Sequence, residues 1–160
     1  MSGVNPYARF LDGRPVETIL AETAPAMTAH LKTMGPEKAA AAPAPGKWSP
    51  AEILCHLADC ELAFGFRLRQ TLAEDGPTVQ SFDQEKWAAT YSGIPADRAL
   101  AAFSTFRAWN LQLMTAALPA AAGRQMTHPE WGTVTFMGVL EMIAGHDLNH
   151  LAQFERIAKK

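Results

Sequence analysis

Apolar residues recur at helical spacing in four long segments of the chain, residues 15–34, 50–73, 96–118 and 135–158. In each segment they return every three or four positions, so they would line one face of a helix. Only Gly132-Thr133-Val134-Thr135 resembles a strand, and it is too short to matter for the fold. The pattern predicts an all-α four-helix bundle.

The second segment has the clearest helix start in the chain. Ser49 can cap the helix, Pro50 suits the first helical position, and Glu52 completes a capping box three residues after the serine. In the first segment, Pro25 is expected to interrupt or bend the helix, because proline lacks the backbone N–H. The Ala/Pro-rich residues 39–46 form a linker between these two helices.

The connections indicate how the helices are joined. Residues 78–95 form a long connection between helices two and three, with a short helical turn expected at 84–89. A connection of this length favours a bundle with a crossover over simple up-down winding. We expect a single domain over residues 1–160, in which residues 1–14 form an arm that packs onto the body.

The composition is that of an ordinary globular protein and narrows the classes of partner. Charged residues make up 19% and the formal net charge is -2, so no polyanion-binding surface is expected and nucleic acid is excluded as a partner. No uncharged apolar run reaches the roughly 20 residues needed to span a bilayer, and the N-terminus lacks a signal pattern, so we expect a cytoplasmic protein without a membrane partner. Cys55 and Cys60 form no metal or redox motif and are expected to be buried thiols.

Two histidines of the last helix have the spacing of metal ligands. His146 and His150 are four residues apart, so their imidazoles lie one turn apart on the same face. A zinc-type site needs at least one more ligand, and His56 is the best candidate because it lies inside a strongly predicted helix. Three imidazoles would leave coordination positions open, which is typical of catalytic rather than structural sites.

Two carboxylates accompany these histidines in the sequence. Asp59 follows His56 by three residues on the same helix face and could orient an imidazole or act as a base. Asp147 projects about 100° around the helix from His146, so a direct metal contact is awkward and a role in helix packing or in supporting a ligand is expected.

The other histidines and three arginines have simpler interpretations. His30 is expected to be a hydrogen-bonded core residue, and His128 a surface residue of a turn. Whether either of them, or Cys60, lies near the metal is left open. Helix faces in solvent commonly carry arginine, and this is the simpler expectation for Arg67, Arg69 and Arg107. The alternative is that these arginines bind an acidic substrate or the carboxylates of a thiol cofactor.

The order of several motifs resembles that of a known family. Trp48-Ser49 with Glu52, then His56-Leu57-Ala58-Asp59, and finally His146-Asp147-Leu148-Asn149-His150-Leu151 are similar to the DinB-like (DinB/YfiT-like) superfamily of metalloenzymes, which are four-helix bundles. The likeness covers nearly the whole chain, including Phe82-Asp83-Gln84 and the His128-Pro129-Glu130 turn.

The resemblance implies a divalent metal ion, zinc or nickel first and iron or manganese next, held by His56, His146 and His150. It also implies a homodimer and a small-molecule substrate, with the metal activating water or a low-molecular-weight thiol for hydrolysis or S-transfer. Two alternatives remain at this point. One is a non-catalytic metal-binding bundle of the stress response, and the other is a metal-free bundle whose apolar helix faces serve dimerisation.

Overall fold

Four long helices form the body of the protein in a computed structural model that describes residues 5–159. They follow the four apolar segments to within about two residues, the usual uncertainty of helix ends. The predicted all-α bundle is therefore confirmed. In chain order the helices are α1 (Val16–Met34), α2 (Pro36–Ala40), α3 (Pro50–Ala73), α4 (Gln84–Ala88), α5 (Ala96–Ala117) and α6 (Phe136–Ala158), preceded by a 3₁₀ turn at Ala8–Phe10.

The start of α3 agrees with the sequence prediction, whereas the effect of Pro25 inside α1 differs from it. At the start of α3, the Ser49 hydroxyl accepts a hydrogen bond from the backbone N–H of Glu52, whose carboxylate accepts one from the backbone N–H of Ser49. The capping box is therefore confirmed. Helix α1 is not interrupted at Pro25. Pro25 and Ala21 are both exposed, so the carbonyl that loses its helical partner can bond to water instead.

The bundle topology brings α3 and α6 together. Helices α3 and α5 are parallel neighbours, because Glu61 lies beside Arg107 and Gly65 lies beside Asn110. Parallel neighbours need a connection that returns along the bundle, and residues 78–95, which include α4, supply the predicted crossover. On the other side of α3 lies α6, and α1 completes the bundle between α6 and α5.

A small β-hairpin precedes α6. Strands β1 (Gln125–His128) and β2 (Gly132–Thr135) pair antiparallel, with Met126 opposite Val134 and both side chains in the core. Gly132, at φ 69°, adopts the left-handed conformation that the turn requires. The expectation that residues 132–135 were too short to matter is wrong, because the hairpin covers one end of the bundle and determines where His128 lies.

The core consists of two apolar clusters along the bundle. In α6 the first cluster ends at Ala144 and the second includes Phe154 and Ile157. Most of the buried polar side chains lie on α3, α5 and α6 near the level at which the two clusters meet, which identifies that level as the candidate functional layer. They include His56, Glu61, Arg107, Asn110, His146, Asp147 and His150. None of the helices within residues 5–159 is long and apolar enough to cross a membrane.

Candidate metal centre

Three imidazoles converge in the polar layer of the bundle. His56 comes from α3, and His146 and His150 come from successive turns of α6. The Nε2 atom of His146 lies 3.0 Å from Nε2 of His56 and 3.1 Å from Nε2 of His150. All three residues are buried. The structure thus brings together the three histidines that the sequence singled out.

The donor set fits a divalent metal ion. Metal–imidazole bonds of about 2.0–2.1 Å place neighbouring ligand nitrogens roughly 3.0–3.4 Å apart, and the observed separations lie within that range. A ring nitrogen is either a donor or an acceptor, so Nε2 of His146 cannot make a full hydrogen bond to both neighbours. A shared cation satisfies all three lone pairs at once.

Burial keeps these imidazoles in the form that binds metal. It lowers the pKa of His56 to about 3 and that of His150 to about 4, and the neighbouring imidazole adds to the effect at His56. The pKa of His146 is also lowered by burial and then by the two other imidazoles. All three rings are therefore neutral near pH 7, with a lone pair free on one nitrogen.

The second ring nitrogen of each histidine has a different neighbour. Nδ1–H of His150 donates to Oε1 of Gln153 at 3.1 Å, which directs the lone pair of His150 to Nε2. Nδ1 of His56 lies 3.9 Å from Sγ of Cys60, a weak contact. Nδ1 of His146 is buried with no hydrogen-bond partner among the described residues. Gln153 is thus the residue that best orients a ligand.

A cavity of about 390 Å³ opens beside the histidines. His56 and His146 form part of its wall, so a metal ion there would be accessible from the cavity rather than enclosed. Its other walls come from the N-terminal arm, α3, the crossover connection and the hairpin. They include Tyr7, Phe64, Arg67, Phe82, His128 and Trp131.

Comparison with known proteins shows the family to which this chain belongs. The sequence model of the DinB superfamily matches residues 19–154, which include all three histidines. The chain belongs to the DinB superfamily. Among solved structures it is similar to YfiT from Bacillus subtilis, described as a probable metal-dependent hydrolase with an unusual four-helix bundle topology. The TM-score is 0.83 at 18% identity, covering 90% of this chain and 84% of YfiT, so the likeness shows a shared fold.

Sequence comparison also finds relatives of this chain. Putative metal-dependent hydrolase OB0782 of Oceanobacillus iheyensis is 25% identical over 116 residues, which cover 72% of this chain and 67% of the relative. Putative metal-dependent hydrolase OB0413 of the same organism is 25% identical over 111 residues, which cover 69% of this chain and 64% of the relative. The match therefore spans about two thirds of these relatives.

The two carboxylates singled out in the sequence have partners other than the imidazoles. Oδ2 of Asp59 accepts a hydrogen bond from the hydroxyl of Tyr91 at 2.7 Å, which links the crossover connection to α3. Asp147 is fully buried and forms an ion pair with Arg107, so it takes part in helix packing. The predicted role of Asp59 as a base stays a prediction.

The remaining histidines differ in their distance from the centre. His30 lies on α1 with its Nε2 3.9 Å from Oε1 of Glu155, and it is not part of the cluster. It is partly exposed, so the expectation of a hydrogen-bonded core residue is wrong. The His-Pro-Glu motif led us to expect His128 on the surface of a turn, and this expectation is wrong. His128 is buried at the end of β1, stacks on Trp131 and lines the cavity, because the hairpin folds it inward.

The two cysteines and three arginines also have definite places. Cys55 and Cys60 are free and buried, as predicted, and Sγ of Cys60 lies 3.5 Å from Nε2 of His56. Arg107 is not on a solvated face but is enclosed between Glu61 and Asp147. Arg69 donates to Asn110 on α5, and only Arg67 of the three arginines lines the cavity.

The N-terminal arm covers the centre, a contact that sequence reasoning did not connect with the site. The ring of Tyr7 meets that of His146 edge to face at 5.0 Å. Its backbone passes so close to α6 that a Cβ added to Gly145 would lie 2.5 Å from the carbonyl oxygen of Tyr7. Burial raises the pKa of the Tyr7 hydroxyl, and the nearby Cys60 adds to the effect. The glycine preceding His146 was the available signal for this contact.

We expect Gly145→Ala to lift the arm from the site. The added methyl group cannot be accommodated without moving Tyr7, so the variant should lose about 1–3 kcal/mol of stability. Trypsin should cleave it after Arg9 several-fold faster than wild type. Gly123→Ala is the control, because nothing lies within 4 Å of its added Cβ. Equal cleavage rates in the two variants would contradict the close packing of the arm.

Proposed function

We propose that this protein is a metal-dependent hydrolase or thiol S-transferase acting on a small molecule, with His56, His146 and His150 as the metal ligands. The observation that carries the proposal is the convergence of three neutral Nε2 atoms beside an open cavity. The relatives named putative metal-dependent hydrolases support it. Imidazoles that point apart would have established the metal-free alternative, whereas the three rings converge.

Each element of the site has a definite task in this proposal. When bound, a divalent metal would lower the pKa of a coordinated water or thiol and stabilise negative charge on a substrate oxygen. Gln153 holds His150 in the tautomer that presents Nε2. Phe64, Phe82 and Trp131 give the cavity an apolar wall, and the ring of Tyr7 packs over His146.

The ligand set favours zinc or nickel, since imidazole suits both, while iron and manganese remain alternatives. A homodimer and a low-molecular-weight thiol as second substrate are part of the same proposal. Exposed apolar side chains on α3 and α5 offer a surface for a second copy. Leu62 and Phe66 lie one turn apart on α3, and Trp109 of α5 lies against Arg69 of α3.

The decisive experiment measures metal content and metal-dependent activity. We expect protein purified without an affinity tag to contain about one first-row divalent metal ion per chain by elemental analysis. Removal with a chelator should abolish turnover in a panel of activated esters, amides and electrophiles offered with water or with cellular thiols, and adding back the metal should restore it.

The panel also separates the possible functions. Turnover that needs an added thiol identifies a transferase, and turnover without one identifies a hydrolase. Stoichiometric metal that raises the melting temperature without any turnover would favour the non-catalytic metal-binding protein. Absence of stoichiometric metal, with no uptake from zinc or nickel solutions, would overturn the proposal.

A further inference from the structure

Two buried side chains at the cavity have hydrogen-bond donors without an acceptor. Arg67 is 3% exposed and His128 is 2% exposed, and both line the cavity whose wall includes His56 and His146. Nη1 of Arg67 and Nε2 of His128 are buried and have no hydrogen-bond partner among the described residues. A buried polar group without a partner is costly, so such pairs indicate a ligand that supplies the missing acceptors.

The protonation of His128 can be deduced from its contacts. Its Nδ1 accepts a hydrogen bond from the backbone N–H of Glu130 at 3.2 Å, so in the neutral ring the proton is on Nε2. Burial lowers the pKa of His128, with the nearby Arg67 adding to the effect, and keeps the ring neutral. Nε2–H is therefore a donor, as is Nη1–H of Arg67. A ligand at this position would therefore need to accept a hydrogen bond from each of these two donors.

The guanidinium of Arg67 is fixed in place by its surroundings. Its central carbon lies 5.5 Å from the ring centre of Phe64 and 5.6 Å from those of Phe82 and Trp131. Nη2 donates to the backbone carbonyl of Gln80 at 2.5 Å. Aromatic faces stabilise the cation but accept no strong hydrogen bond, so Nη1 stays available.

The nearby carboxylates do not neutralise Arg67. The carboxylate of Asp83 accepts a hydrogen bond from the backbone N–H of Lys86 at the start of α4. It also forms an ion pair with the ammonium group of that lysine. Glu130 is exposed and lies near Arg67 without forming an ion pair with it. One buried cation with two acidic groups nearby favours a singly charged ligand over a phosphate dianion.

We propose that Arg67 and His128 bind a carboxylate group of the substrate, whose reacting bond lies beside His56, His146 and His150. A carboxylate is planar and has two acceptor oxygens, one for each free donor. Arg67 follows His56 by eleven residues on α3, about 16 Å along the helix axis, so the carboxylate is several bonds away from the reacting group. The aromatic walls between them fit an apolar body. The substrate class is thus a small monocarboxylic acid carrying a hydrolysable or electrophilic group, an assignment that rests on the proposed function.

The test compares binding of benzoate and uncharged benzamide by calorimetry to the protein as purified. We expect wild type to bind benzoate about tenfold or more tighter than benzamide, the scale of one charge-assisted hydrogen bond. Arg67→Met should remove that preference, and His128→Phe, which retains the stacking on Trp131, should weaken it. Arg69→Met is the matched control on the same helix and should bind benzoate like wild type.

The same titrations separate this inference from the proposed function. Repeating them after metal removal isolates the carboxylate site. A preference for benzoate that survives in metal-free wild type and is lost in Arg67→Met supports the inference even if no turnover is ever found. Equal affinities of Arg67→Met and Arg69→Met, or a preference that depends on the metal alone, would overturn it while leaving the metal centre intact. Arg67→Lys, expected to retain only part of the preference, serves if Arg67→Met does not fold.

Discussion

Replacing His146 with leucine is expected to lower metal affinity by more than about 100-fold, because even partners that only orient a ligand contribute roughly 10–100-fold. His146 is the central member of the cluster, since its Nε2 lies within 3.1 Å of both other Nε2 atoms. Without it, His56 and His150 offer two ligands from different helices. Elemental analysis after dialysis against a metal buffer would measure the loss.

The same substitution should not destabilise the metal-free protein. Leucine has a similar volume to histidine and removes a buried Nδ1 that has no hydrogen-bond partner. Removing an unpartnered buried polar atom is favourable, and this gain offsets the lost contacts of Nε2 with His56 and His150. Wild type should gain about 2.7 kcal/mol of stability at a metal concentration 100-fold above Kd, and the variant should gain almost none.

His30→Leu is the matched control for this experiment. His30 is a partly buried histidine of α1 outside the cluster, and its Nε2 lies 3.9 Å from Oε1 of Glu155. The control should retain both metal and metal-induced stabilisation. If His146→Leu bound metal as tightly as His30→Leu, the three-histidine site would be refuted.

Removing the charge of Arg107 should have the largest effect on stability. Arg107 is 2% exposed, and its guanidinium donates to Glu61, to Asp147 and to the backbone carbonyl of Leu20. Arg107→Met would leave two carboxylates buried without their common cation, and breaking a buried ion pair in this way costs about 3–5 kcal/mol. The expected decrease in Tm is roughly 6–20 °C for a chain of this size.

Thermal unfolding followed by circular dichroism measures this effect. Arg98→Met is the control, because Arg98 lies on the same helix in solvent. Adding Glu61→Gln and Asp147→Asn to Arg107→Met should recover part of the loss, since the amides remove the uncompensated charges. A Tm of Arg107→Met within a degree or two of the control would show that the network does not stabilise the bundle.

Much of the fold and the metal-ligand candidates could be predicted from the sequence, because both depend on helical periodicity. The spacing of His146 and His150 placed them on one face of α6, and the motif order identified His56 as their partner. The length of the connection between α3 and α5 predicted a crossover, which agrees with the parallel placement of these two helices. These features depend on spacing along the chain, which a sequence displays directly.

The burial of His128 and the charge partners of Arg107 could not be predicted from spacing along the chain. His128 is buried only because a four-residue strand folds back on its partner and because its ring stacks on Trp131. Arg107 lies four residues after Phe103 and seven before Met114, so the helical period does place it on a buried face. Its partners Glu61 and Asp147 are on other helices, however, and the neutralisation of its charge therefore depends on tertiary packing.

The cavity residues come from two kinds of chain segment, packed helices and the connections between them. The three candidate metal ligands come from α3 and α6, whereas Tyr7, Phe82 and His128 come from the arm, the crossover connection and the hairpin. Connecting segments tolerate insertion and exchange better than packed helices do. Exchanging these three segments should therefore alter much of the cavity wall, while Arg67 and the candidate metal ligands stay in place on the packed helices.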